Sequence, residues 1–268
     1  MTKRLLMQSD DYGITDAVSA GIRRAVEFGL IRNTGMFVNM PASVRAAADI
    51  SGYDVCFGID INYVCGRPVS DPADVPHLID EDGYFISSGR MASRSKFTGM
   101  DELGVISYFE EDPYPYEEIL LETENQVKRF IKLTGRKPEY IHPHSLTTEN
   151  CLRAAKEVAE RYGIIHSTDV MRKHPLLPGT FDGSKGSTVE SQMEFDVIAN
   201  LTGKGLPDMK ENETRMFVCH CGYVDLDLFR NTSLTLRRVR DLDAMMSETL
   251  KQHLADQGIE LITYRDLA

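Results

Sequence analysis

No uninterrupted apolar run in this sequence of 268 residues approaches the length that a bilayer demands. The first residues, Met1-Thr2-Lys3-Arg4-Leu5-Leu6-Met7-Gln8, reach a polar position before a secretory h-region is complete. No membrane association is therefore expected, and a cytoplasmic location follows as the default. Cysteine is scarce. Five residues (Cys56, Cys65, Cys151, Cys219 and Cys221) are too few and too scattered for a disulfide scaffold and are expected to be reduced thiols. Basic charge is in deficit, with 30 Lys and Arg against 41 Asp and Glu, a formal net charge of −11. That balance argues against a nucleic-acid or anionic-membrane partner, because neutralising phosphates takes clustered cations. Internal repeats and strong linkers are missing as well, so residues 1–268 are expected to form a single domain.

What is present is a βα rhythm, in which short apolar runs alternate with amphipathic patterns. Strands are expected at Arg4–Gln8, Thr34–Val38, Val55–Ile61, Tyr140–His142, Gly163–Ser167, Met216–Cys219 and Ile259–Tyr264. Helices are expected at Asp16–Phe28, Ser43–Ile50, Tyr116–Leu133, Thr148–Tyr162 and Leu234–Ala255. Leu152, Ala155, Val158, Ala159 and Tyr162 recur every three to four residues and lay one apolar stripe on a sheet. Ser87–Pro115, rich in Ser, Gly and Arg, reads as a long loop over one face. Its Arg90, Arg94 and Lys96, with Lys185 and Lys204 of a second long loop, are candidates for closing over an anionic sugar.

Chemistry gathers at the expected strand ends. The first strand runs into the adjacent carboxylates of Ser9-Asp10-Asp11-Tyr12-Gly13, and the third into Gly58-Ile59-Asp60-Ile61-Asn62. Another closes on His142-Pro143-His144, and Cys219-His220-Cys221 places His220 at a further terminus. On a strand the two Cys face away from His220, so they read as packing residues and not as a zinc pair. Carboxylates and imidazoles at the carboxyl ends of parallel strands suit a metal-assisted hydrolytic site.

At these positions the sequence resembles the YdjC/ChbG family of carbohydrate deacetylases over nearly its full length. The resemblance runs from Ser9-Asp10-Asp11-Tyr12-Gly13 through Gly66-Arg67-Pro68-Val69, Gln126, Gly135, Pro138 and His144 to His220-Cys221-Gly222-Tyr223-Val224-Asp225, Arg237 and Leu261-Ile262-Thr263-Tyr264-Arg265-Asp266-Leu267. It implies an α/β fold, a distorted TIM-like barrel. The implied activity removes acetyl groups from a small carbohydrate, such as a chitooligosaccharide or its phosphate, with the help of one divalent metal ion. By the same resemblance Asp10 is the general base, Asp11 and His144 are metal ligands, and His220 supports the leaving group. A homodimer is a family-level expectation.

Two departures bear on the metal. Asp60 stands where the family usually has a His, and His142 where it usually has an Asp. The expected ligand set is therefore Asp11, Asp60 and His144, with His142 able to join, for Mg, Zn, Mn, Fe or Co. Tyr12, Asn62, Arg67 and Arg237 are the candidate substrate contacts. Two alternatives stand beside the deacetylase reading. One is a non-catalytic relative that binds a sugar or sugar phosphate; the other is a different metal hydrolase, a phosphoesterase or amidase, on the same barrel.

Overall fold

The computed structural model describes residues 2–179 and 188–267, with the side chain of Lys204 excepted. Lys185 lies outside the described residues. Seven strands form a curled sheet: β1 (Lys3–Tyr12), β2 (Asn33–Met36), β3 (Cys56–Ile61), β6 (Tyr140–Pro143), β7 (Ile165–His166), β8 (Thr214–Cys219) and β9 (Ile259–Ile262). All the pairings in this sheet are parallel, in the order β7-β6-β3-β2-β1-β8. Strand β9 joins the lower half of β1, from Lys3 to Leu6, and β2 takes over the same strand from Gln8 to Tyr12. No ladder joins β7 to β8 among the described residues, and a single bridge from Leu176 to Met216 spans part of that side. The barrel is thus incomplete, which agrees with the distorted barrel that the sequence implies.

Helices α1 (Asp16–Phe28), α2 (Ser43–Asp49), α4 (Tyr116–Thr134) and α5 (Glu149–Tyr162) carry the chain between strands on the first part of the circuit. Later come α6 (Ser167–Lys173), α7 (Val189–Glu194), α8 (Val197–Asn200), α9 (Leu226–Asn231), α10 (Arg237–Met246) and α11 (Glu248–Asp256). The segment read as a long loop holds the short α3 (Ser88–Ala92) and an antiparallel hairpin of β4 (Phe97–Met100) and β5 (Ser107–Phe109). The caps follow the sequence: Thr15 and Thr148 accept from Val18 and Cys151 amides, and Gly163 ends α5 in the left-handed conformation.

Two expectations are corrected. Leu234–Ala255 is not one helix, because Ser247 leaves the helical region (ψ 125°) and caps α11 by accepting from the Leu250 amide. The expected strand Gly163–Ser167 shrinks to two residues, and Ser167 instead opens α6. Sequence pattern could not separate a short strand from the first turn of a helix there.

Strand period two sorts the side chains into two cores. Leu5 and Met7 pack outward with Phe57, Ile59, Ile141 and Phe217 under the helices. Leu6, Cys56, Tyr140, Met216, Val218, Ile262 and Tyr264 make a second, smaller cluster. On β1 the residues that follow Leu6 in the same register are Gln8 and Asp10. No helix of the described residues is long and apolar enough to cross a membrane.

His166 on β7 is buried, and burial pushes its imidazole down from 6.5 to about 4 despite the nearby Asp169 carboxylate. The folded protein holds it neutral, whereas the unfolded chain binds a proton as pH drops below 6.5. Its contribution is complete above pH 6.5 and is lost as pH falls toward 4, a change on the order of 3 kcal/mol. We expect His166→Gln to flatten the loss of stability across that window in urea titrations. Parallel pH profiles for the two proteins would contradict a neutral buried imidazole.

Candidate active site

Asp10, His142, His144 and His220 meet at the carboxyl ends of β1, β6 and β8, at the mouth of a cavity of about 610 Å³. Asp10 Oδ2 lies 3.4 Å from His142 Nε2 and 3.9 Å from His220 Nε2. The other Asp10 oxygen accepts from Gln8 Nε2 at 2.5 Å, and Gln8 in turn accepts from the Tyr264 hydroxyl at 2.6 Å. His142 is oriented by Ser167, whose Oγ is 2.8 Å from Nδ1. Burial alone would raise the Asp10 carboxyl; the charge and hydrogen bond of His142, then the charge of His220, outweigh it and hold the group below its ordinary value. His220 moves down, because burial outweighs the pull of Asp11 and Asp10. At neutral pH the pair is therefore a carboxylate facing a neutral imidazole.

Asp11 sits beside this pair in left-handed backbone, φ 70°, which a residue with a Cβ adopts only at a cost. Three contacts hold it there. Its Oδ1 meets His144 Nδ1 at 2.9 Å, its Oδ2 meets Arg238 Nη2 at 2.5 Å, and its amide donates to Asp60 Oδ2 at 2.7 Å. Burial opposes ionisation of Asp11, yet His144 and Arg238 together bring the carboxyl well below its usual range. The His144 ring is itself fixed edge-on against Phe37, with centroids 4.7 Å apart. For Asp60, burial and the charges of Asp10 and Asp11 act in one direction and push the carboxyl well above its ordinary value.

The loop carrying His220 is held from three sides. Its backbone amide donates to Asp241 Oδ2, while Asp241 Oδ1 accepts from Arg237 Nε at 2.8 Å. Arg237 also lies over the Phe195 ring at 3.6 Å. A Cβ at Gly21 of α1 would stand 2.7 Å from the Gly222 backbone, so the helix and this loop approach closely only because no side chain intervenes. Cys219 and Cys221 are buried with sulfurs 3.7 Å apart, and His220, just past the end of β8, lines the cavity together with Cys219.

The remaining expected contacts lie apart. The Tyr12 hydroxyl donates to Ala46 O at 2.8 Å in the outer core. Asn62 braces its own loop through Asn39, Val64 and Cys65. Arg67 is exposed and covers the Tyr84 ring at 4.1 Å. None of these three lines the cavity, whereas Arg237 does. Arg90 faces Asp80 at 3.8 Å and Arg94 donates to His77 O at 2.6 Å, so neither offers a free cation to the cavity. Sequence reasoning missed Gln8, Ser167, Arg238 and Tyr264. The register of β1 could have raised Gln8, and the i,i+3 spacing of Arg238 and Asp241 could have placed both on neighbouring faces of α10. Nothing local points to Ser167.

Asp11 and His144 are the strand-end side chains whose chemistry suits a divalent cation; here they face each other at 2.9 Å, and the second Asp11 oxygen is taken by Arg238. Among the described residues no three His, Cys, Asp or Glu side chains converge as a ligand set. Asp60 and His142 are turned to the Asp11 amide and to Ser167. A carboxylate and an imidazole fall short of the three protein ligands of a catalytic zinc, so water would have to complete the shell of any ion held here.

A carboxylate pair and three imidazoles at the strand ends of an incomplete α/β barrel, beside a cavity, define an α/β barrel protein with a charged site at its strand ends. The YdjC-like protein family model matches residues 4–256, and the chain belongs to that family. The chain is 27% identical to a carbohydrate deacetylase of Geobacillus stearothermophilus over 99% of this chain and 98% of the relative. It is 28% identical to a chitooligosaccharide deacetylase of Escherichia fergusonii, with both chains fully covered. A crystal structure from Enterococcus faecalis V583, of a protein proposed to cleave cellobiose phosphate, superposes with a TM-score of 0.76 at 21% identity, covering 100% of each chain.

Arg238 is 1% exposed, and removing its charge strands a buried carboxylate. Arg238→Met is expected to cost on the order of 3 kcal/mol in urea unfolding at pH 7, with Arg238→Lys recovering part of the loss. Equal stability of Arg238→Met and the parent would contradict the pairing with Asp11.

Proposed function

We propose that the protein hydrolyses the acetamide of a small N-acetylated sugar, releasing acetate and the free amino sugar. The observation that carries this reading is the placement of the Asp10 carboxylate within 4 Å of both His142 and His220 at the cavity mouth. The names of the curated relatives support it, and so does the cavity, whose volume lies in the range of small-ligand sites.

In this reading a water held at Asp10 Oδ2 attacks the acetyl carbon, and its proton passes to the carboxylate. His142, fixed by Ser167, contacts the same oxygen and keeps Asp10 ionised, so that it is free to take the proton. Collapse of the tetrahedral oxyanion breaks the carbon–nitrogen bond. The proton taken by Asp10 crosses to neutral His220 Nε2 and from there to the departing nitrogen, so one proton serves both halves of the reaction. Asp11 and His144 would hold the divalent ion, which when bound supplies polarisation of the carbonyl oxygen. Ser87, Ser88, Ser107 and Ser233 line the cavity with hydroxyls suited to a neutral sugar. With Arg90 and Arg94 turned to protein partners, a neutral chitooligosaccharide is the favoured substrate over its phosphate.

Acetate release from diacetylchitobiose in the presence of Mg²⁺ or Mn²⁺ tests the reading. Asp10→Asn should lower kcat by at least about 100-fold with little change in KM, the loss expected for a general base. Sugar binding without acetate release by the parent would favour a non-catalytic binding role, and hydrolysis of a phosphate ester instead would favour a phosphoesterase.

A further inference from the structure

We infer that Asp60 is a positioning residue for Asp11 and not a ligand of the ion. Three observations converge on this. Its Oδ2 accepts the Asp11 amide at 2.7 Å, tying β3 to the one non-glycine residue of β1 in left-handed backbone. Its Oδ1 lies over Gly35 of the intervening strand: a Cβ there would stand only 1.7 Å from that oxygen and 2.3 Å from Cγ. Finally, Asp60 is fully buried and is not among the residues that line the cavity.

The side chain therefore reaches across β2 from β3 to β1, and the missing side chain at Gly35 is the channel it passes through. Residues on three adjacent strands form one device: Gly35 gives room, Asp60 crosses, and Asp11 is held by its N–H. With the amide fixed, the Asp11 carboxylate is delivered to His144 on one side and to Arg238 on the other. A ligand role would fall to Oδ1, which has no hydrogen-bond partner but lies in the Gly35 cradle, on a residue that does not line the cavity. Asp60 thus shapes the site through the backbone of its neighbour, and the exchange of Asp and His between positions 60 and 142 redistributes supports around Asp10 and Asp11. His142, in register with Asp60 on the adjoining strand, supports Asp10, while Asp60 supports Asp11.

The inference rests on the proposed function only in taking Asp11 as the residue that faces the reaction, and its test does not require turnover. Hydrogen exchange at the Asp11 amide, followed by NMR, should be within about 3-fold of the parent in Asp60→Asn, which keeps an acceptor for the N–H. In Asp60→Ala, and in Gly35→Ala where the cradle is filled, the same amide should exchange at least about 10-fold faster. Mn²⁺ bound in equilibrium dialysis should be the same in Asp60→Asn and the parent. If diacetylchitobiose is a substrate, kcat should follow the exchange data, retained in Asp60→Asn and reduced by about 100-fold in Asp60→Ala. Loss of Mn²⁺ from Asp60→Asn with the Asp11 amide still protected would make Asp60 a ligand and overturn the inference. Unchanged amide exchange in Asp60→Ala would overturn it as well. A parent protein that releases no acetate but shows the expected exchange pattern would defeat the functional reading alone.

Discussion

The site depends on how Asp11 is held. A residue with a side chain in left-handed backbone at the end of a strand is costly, and it persists because its surroundings over-determine it. Here the amide is bound by Asp60, and the two carboxylate oxygens face His144 and Arg238, so β3, the end of β6 and α10 all converge on one residue. The bend has a further consequence. Successive residues of a regular strand point to opposite faces, yet the turn at Asp11 lets Asp10 and Asp11 both line the same cavity. Two adjacent acids thereby take different work, one facing His142 and His220, the other His144 and Arg238.

Charge is distributed so that burial does not neutralise the two working carboxylates. Asp10 and Asp11 are each brought below their ordinary values by imidazole or guanidinium partners, while Asp60, buried beside the charges of Asp10 and Asp11, is driven the other way. The environment thus drives three neighbouring carboxyl groups apart, two toward the ionised form and one toward the protonated form. The Tyr264 hydroxyl, at the far end of the chain, reaches Asp10 through Gln8, so closure of the final strand is coupled to the setting of the base.

Much of this was legible in the sequence. The spacing of His142 and His144 and the placement of Asp10 and His220 at strand ends follow from the strand pattern, and the structure brings these four residues to one cavity. The βα rhythm with its Thr and Gly caps gave most helix boundaries. The rest depends on contacts between distant segments. Arg238 lies next to Arg237 in sequence, but the turn of α10 sends one to Asp11 and the other to Asp241. Asp60 has the residue type of a ligand, and only the empty space over Gly35 shows where its carboxylate goes. Asn62 and Arg67, polar residues next to strand ends, are consumed by loop and ring contacts that no local pattern announces.

The most direct test of the account follows the oxygen. When diacetylchitobiose is incubated with the protein in ¹⁸O-enriched water, attack of water on the acetyl carbon must place one labelled oxygen in each acetate released and none at the carbon that bears the freed amine. Mass spectrometry showing singly labelled acetate would establish the proposed hydrolysis. Unlabelled acetate, or intact diacetylchitobiose after prolonged incubation with Mg²⁺ or Mn²⁺, would contradict it.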